Sequence, residues 1–166
     1  AISGLTTSQA AAMTADQVTA LTSAQLAKMS AAQIGAIGTV QLQAMSTAQA
    51  NALTAIQAAG LTSTQIANLE ATDLASLTTA VIASLTPAQL AGLTALQVPE
   101  LTTAQAAAMT AVQVSALTNA QLAALETRDM AALATSAIGG LTTAQMAAIT
   151  GDQLAGMTTA QFSKLS

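Results

Sequence analysis

Residues 85–92 read Leu85-Thr86-Pro87-Ala88-Gln89-Leu90-Ala91-Gly92, and the fold is legible in those eight positions. Thr-x-x-Gln is a capping box: the Thr hydroxyl accepts from the amide three residues on, and the Gln side chain reaches back to the Thr amide. Leu85 before the box and Leu90 after it occupy the two sites of a hydrophobic staple. Pro87 falls at the first helical position, where a missing amide hydrogen costs nothing and a fixed φ helps. Three independent signals thus start a helix in one register. Gly92 stands at the last position of the octad, where a left-handed helix end would favour glycine.

The same octad runs along the chain. From Leu5 to Leu165 an apolar residue returns at the start of every octad, and it is Leu, Met or Ile at all 21 occurrences. In the 20 complete octads, spanning residues 5–164, Thr or Ser follows it 16 times, and Gln stands at the fifth position 16 times. Residues 1–166 therefore form a single repeat array. It begins and ends inside an octad, as expected of a piece of a longer array or a processed subunit.

One continuous helix fails by arithmetic. Eight steps of about 100° rotate the apolar stripe by roughly 80° per repeat, so no single face is buried. A β-solenoid with two or three octads per coil is the alternative architecture, but Ala and Gln are poor strand residues and period-two alternation is absent. The expected fold is an all-α solenoid with one helix of about six residues per octad. Helices so short do not survive alone in water, so neighbouring octads must hold them. Two octads per coil would give ten coils, a rod on the order of 80–100 Å at helix spacings of about 8–10 Å. Ala at the fourth and seventh positions is expected to let successive helices approach closely. Gly60, Gly92, Gly140 and Gly156 are expected to mark helix ends, and Pro99 to force a 3₁₀ turn or distortion.

Composition narrows the function. The chain has 52% hydrophobic residues, largely Ala, with one Phe, no Trp, Tyr, Cys or His, and a net charge of −4. The core must be thin and regular. His, Cys and aromatic side chains, the usual suppliers of acid–base, redox, metal and stacking chemistry, are missing apart from Phe162, so neither catalysis nor a cofactor is expected. Three cations (Lys28, Arg128 and Lys164) cannot neutralise nucleic-acid phosphates or build a polybasic membrane face. The longest apolar run, Met130 to Ala134, is far too short to span a bilayer.

The repeat breaks in matching ways at Leu69-Glu70-Ala71-Thr72-Asp73 and Leu125-Glu126-Thr127-Arg128-Asp129, seven octads apart, and each break is followed by an octad without Gln. Residues 6–29 are also echoed by 102–125, which suggests growth by block duplication. Glu70 with Asp73, and Glu126 with Asp129, are the only weak candidates for a metal site, as carboxylate pairs suited to Ca²⁺. The simpler reading is that these acids complement the helix dipole and replace the Thr/Gln box. Asp16, Asp152, Lys28 and Lys164 read as ordinary solvated positions. Gly38, in the Thr position, keeps its Gln41 and starts a helix with a glycine cap.

Regular Thr rows raise a second functional class, the binding of ice or another ordered surface. The competing use of those hydroxyls is capping, which leaves Thr7, Thr79, Thr103, Thr143 and Thr159 as free candidates at irregular spacing.

The strings LTTAQ, LTSAQ and LTPAQ, which cover essentially the whole chain, resemble the Ala/Thr/Gln-rich octapeptide tracts of very large secreted or cell-surface bacterial repeat proteins, described as adhesin-like exoproteins. That resemblance implies an extracellular structural or adhesive role. LTPAQLAGL is also similar to the opening segment of TAL-effector repeats, whose longer period and base-reading loop have no counterpart here. The expected function is a self-associating fibre subunit or adhesin stalk with the chain itself as partner, and exposed solenoid ends favour that association.

Overall fold

A computed structural model describes residues 2–165. Among them are nineteen α-helices of four to six residues and two 3₁₀ turns, Ile2–Gly4 and Val98–Glu100, with no strand. The chain is an all-helical solenoid, and each complete octad supplies one helical turn or two before the backbone reverses.

The local logic follows the capping chemistry. Fourteen of the helices carry a complete box, and Thr94 with Gln97 makes the same reciprocal pair of bonds ahead of the second 3₁₀ turn. Pro87 is the first residue of the helix Pro87–Ala91, with Thr86 as its cap. Gly38 caps Thr39–Gln43 without a side-chain bond. Pro99 sits inside the 3₁₀ turn that replaces the α-helix of its octad, because the ring cannot donate into an α-helical ladder.

The octads stack in threes, not twos. Thr7–Ala11 packs on Ala31–Ala36, which packs on Ala55–Ala58, and Thr127–Ala132 packs on Gly151–Gly156. Helices three octads apart are therefore neighbours, and the 20 complete octads make just under seven coils. At about 8–10 Å per coil the rod is roughly 55–70 Å long. The octad period is compatible with any number of octads per coil, so the difference arises from tertiary packing rather than from local propensity.

Both staple positions point inward. The first position of the octad supplies Met29, Ile37, Leu53, Leu85 and Leu117, and the sixth supplies Leu26, Ile34, Ile66, Leu90 and Leu122, all buried. Ala takes the sixth position at Ala10, Ala50, Ala58 and Ala106, so large and small side chains mix within a continuous core. Burial of these residues, at roughly 1.5–3 kcal/mol for each large side chain, supplies the stability that so short a helix lacks.

Two expectations about small residues are corrected. The fourth position does not lie between helices: Val40, Ile56, Leu96 and Val112 there are 64–87% exposed. It is the second helical residue, and it faces outward. The glycines at the eighth position do not adopt positive φ, for no described residue does. They serve close approach instead. A Cβ on Gly60 would collide with the carbonyl of Ala31, and one on Gly92 would lie 2.8 Å from the Ser63 carbonyl oxygen. Here the eighth position of one octad abuts the third position of an octad in the coil before. Only a residue without a Cβ lets the backbones meet that closely.

Candidate interface: three ladders of glutamine amides

A Gln that served only as a capping-box partner could remain at the surface. From Gln33 onward most of these side chains are instead buried, Gln105 and Gln161 to 1% exposure. Burial of an amide demands partners for both of its ends. The Oε1 of Gln113 accepts from the Thr110 amide at 2.8 Å, closing the box, while its Nε2 donates to the Leu85 carbonyl at 2.7 Å and the Ile82 carbonyl at 2.8 Å. One side chain thus satisfies an orphan amide of its own helix and two carbonyls of the coil before.

The pattern recurs with fixed offsets. Thirteen Gln side chains donate to the carbonyl 28 residues earlier, which is the first position of the octad beneath. Ten of them also reach the carbonyl 31 residues earlier. Those two carbonyls flank the turn between consecutive octads: the first-position carbonyl has no backbone donor, whereas the other also accepts an amide three residues on, as Ile82 does from Leu85 at 3.2 Å. The result is three ladders along the rod, each taking one octad from every coil, with every amide pointing toward the amino-terminal end.

The capping box alone does not reveal this second role, although the sequence holds a signal for it. A capping box accepts Glu as well as Gln. The chain uses Gln 16 times at this position and Glu never. Only the amide can donate to carbonyls, and a buried carboxylate facing them would be repelled.

The ladders break at Asp73, Val81, Asp129 and Ala137, all buried. No two breaks are adjacent in a ladder, for Gln stands one coil before and one coil after each of them. Without the amide, the carbonyls of Met45, Leu53, Leu101 and Met109 lack the donor that their equivalents receive. The two acids occupy interior positions. Asp73 is 2% exposed and Asp129 is fully buried, and each has an Oδ2 without a hydrogen-bond partner. Burial, and after it the Glu70 carboxylate, pushes the Asp73 carboxyl above its ordinary range. Asp129 is better supplied: Thr103 donates its hydroxyl to Oδ1 at 2.7 Å, and the Arg128 guanidinium lies 3.7 Å from the same oxygen. Arg128 also pairs with Glu126 at 2.6 Å.

The expected replacement of the Thr/Gln box by acids is corrected. Neither Glu70 nor Glu126 makes a side-chain cap bond. Asp is one methylene shorter than Gln, and it lies in the interior instead of reaching back to the cap. Glu70 is exposed and Glu126 half-buried, so each pair is divided between surface and core. Among the described residues no three acidic, His or Cys side chains come together. Asp16, Asp152, Lys28 and Lys164 are exposed.

Thr and Ser hydroxyls at the second position are engaged as caps. The next-position residues Thr7, Thr79, Thr103, Thr143 and Thr159 are exposed; Thr127 shares that position, so Thr79, Thr103 and Thr127 stand in three consecutive coils, but the row stops at Ala55 on one side and Gly151 on the other. Thr103 is in addition committed to Asp129. No described helix is long and apolar enough to cross a membrane.

A comparison with curated proteins found no match. A family model, the ALTTAQ repeat, matches three times, over residues 34–71, 66–103 and 122–159, which together make up more than half of the chain. Those segments contain most of the rungs described above, and on that match the chain belongs to the ALTTAQ repeat family.

Proposed function

We propose that this protein is a structural rod: a stalk or fibre subunit at the cell surface or outside the cell, without catalytic activity and with copies of itself as its principal partner. The observation that carries the reading is the commitment of the Gln amides. The polar side chains of the interior bond one coil to the next, which builds length and stiffness and leaves no pocket lined by convergent reactive groups among the described residues. The low cation count speaks against nucleic acid as a partner. The extracellular setting draws its support from the resemblance of LTTAQ and LTSAQ tracts to those of secreted and surface repeat proteins.

Small-angle X-ray scattering of the dilute chain tests the rod. A cross-section that is constant along a particle of roughly 55–70 Å supports it; a flexible or collapsed profile contradicts it. Surface labelling of intact producing cells tests the location, and label found only after lysis contradicts it.

A further inference from the structure

The four ladder breaks come in pairs. Asp73 and Val81 stand in consecutive octads, and so do Asp129 and Ala137. In the stack of threes, residues 69–92 lie on residues 45–68, and residues 125–148 lie on residues 101–124. Each of these two boundaries therefore loses two of its three rungs. One amide remains at each: Gln89 donates to the Leu61 carbonyl at 2.6 Å across the first, and Gln145 donates to the Leu117 carbonyl at 2.8 Å across the second. A boundary between them is complete, with Gln97, Gln105 and Gln113 donating to the carbonyls of Leu69, Leu77 and Leu85. The buried residues at the breaks do not take over the amide's bonds. Val81 and Ala137 have no polar side-chain group, and Asp73 and Asp129 each keep an Oδ2 without a partner. Peripheral bonds replace part of the loss. Asn51 donates to the Ser76 carbonyl at 2.7 Å, Ser84 to the Ala55 carbonyl at 3.3 Å and Thr103 to Asp129 at 2.7 Å. Their groups lie nearer the surface, where water competes for them.

We propose that these two boundaries are hinges of the rod, each opening about the edge that keeps its rung. At the first, Thr47–Asn51 and Ala55–Ala58 part from Ala71–Ser76 and Thr79–Ser84, while Ser63–Ala67 and Pro87–Ala91 stay joined through Gln89. The second is built alike: Thr103–Ala107 and Ala111–Ala116 part from Thr127–Ala132 and Thr135–Ile138, while Gln145 holds. Gln89 and Gln145 belong to different ladders, so the two hinges bend about different edges. Helices of four to six residues do not persist without their neighbours, so an opened edge also frays the helices that line it. The inference depends on the placement of the rungs, and not on where the protein works or what it binds. It goes beyond the structural reading by giving the rod two fixed points of yielding.

Native-state hydrogen exchange of this chain, read peptide by peptide by mass spectrometry, tests the first hinge. The six helices named there lie in the same two coils, so the stability of a coil as a whole does not separate them. Amides of the four helices at the opening edge are expected to be protected at least about tenfold less than those of Ser63–Ala67 and Pro87–Ala91, as two missing hydrogen bonds imply. The double substitution Asp73→Gln, Val81→Gln restores both rungs. Thr47–Asn51 and Ala55–Ala58, which carry neither substitution, are then expected to rise to the protection of Ser63–Ala67. Equal protection of all six helices in the unsubstituted chain overturns the proposal, and that comparison decides even where the double variant does not fold. A folded double variant in which Thr47–Asn51 and Ala55–Ala58 exchange as before overturns it too. Either failure leaves the rod itself intact, which the scattering profile tests separately.

Discussion

Gln113 and Leu85, 28 residues apart, are joined by an amide donating to a carbonyl at 2.7 Å across two coils, while the same side chain holds the Thr110 amide of its own helix. Capping and coil stacking are therefore one interaction in this protein. Replacement of Gln113 by Leu preserves bulk but leaves the Thr110 amide and the Leu85 carbonyl unsatisfied, while the Ile82 carbonyl keeps the Leu85 amide, and is expected to cost about 2 kcal/mol or more. Gln113→Glu keeps the cap and loses the donor. It should be destabilising at neutral pH and partly recover in acid, where a protonated carboxyl can donate again. Thermal unfolding of the two variants between pH 4 and 7 checks both statements.

The octad at 85–92 separates the two contributions. Thr86→Ala removes only a cap and should cost about 1 kcal/mol. Gln89→Ala removes the cap together with bonds to Ala58 and Leu61 at 2.9 and 2.6 Å, and should cost about two to three times as much. Pro87→Ala should change stability by less than about 1 kcal/mol. Chemical denaturation of the three single variants gives the order, and equal costs for Thr86 and Gln89 would mean that the coil-to-coil bond contributes nothing.

Gly60 and Gly151 make opposite predictions from the same substitution. A Cβ at Gly60 meets the Ala31 backbone, whereas nothing lies within 4 Å of a Cβ at Gly151. Gly60→Ala should therefore destabilise by about 1–3 kcal/mol through overpacking. Gly151→Ala should stabilise by about 0.4–1 kcal/mol by restricting the unfolded chain. Melting temperatures that move in opposite directions would confirm the close approach of octads in successive coils.

Asp73 occupies a rung where Gln stands one coil before and after, and its carboxyl is raised by burial and by Glu70. A raised carboxyl binds its proton more tightly in the folded state, so its contribution is most favourable below the unfolded value of about 3.8–3.9 and is lost as pH rises through the folded value. Asp73→Gln should accordingly stabilise the chain, by more at pH 7 than at pH 3.5, and it supplies a donor for the Met45 carbonyl as well. Unfolding free energies at the two pH values check the sign.

The reach of the sequence ends where interactions become non-local. Thr86, Pro87, Gln89 and Pro99 announce helix starts and a 3₁₀ turn through contacts within four residues, and those features stand in the structure as expected. The apolar first and sixth positions likewise declare a solenoid core. The number of octads per coil depends on partners in the next coil, and the octad period carries no trace of it. Local sequence gives Gly60 the role of ending a helix, when its reason is the backbone of Ala31. Asp73 and Asp129 resemble replacements for the local box, whereas their burial comes from the coil geometry that places Gln inside. The preference for Gln over Glu is the one local hint of the ladders, since a cap alone does not need an amide donor.

The central claim, three octads per coil, can be tested by engineered disulfides, because the chain contains no Cys. A Cβ at Gly140 would stand 3.1 Å from that of Ala111 in the coil before, slightly inside the roughly 3.5–4.5 Å of a disulfide, so a shift of a few tenths of an ångström between the coils brings the pair into bonding geometry. The double variant Gly140→Cys, Ala111→Cys is expected to oxidise to an intramolecular disulfide in the folded state. The variant Gly140→Cys, Asn119→Cys, spaced for two octads per coil, is expected to stay reduced. The reverse result would contradict the three-octad coil and, with it, the ladders on which this account of the protein depends.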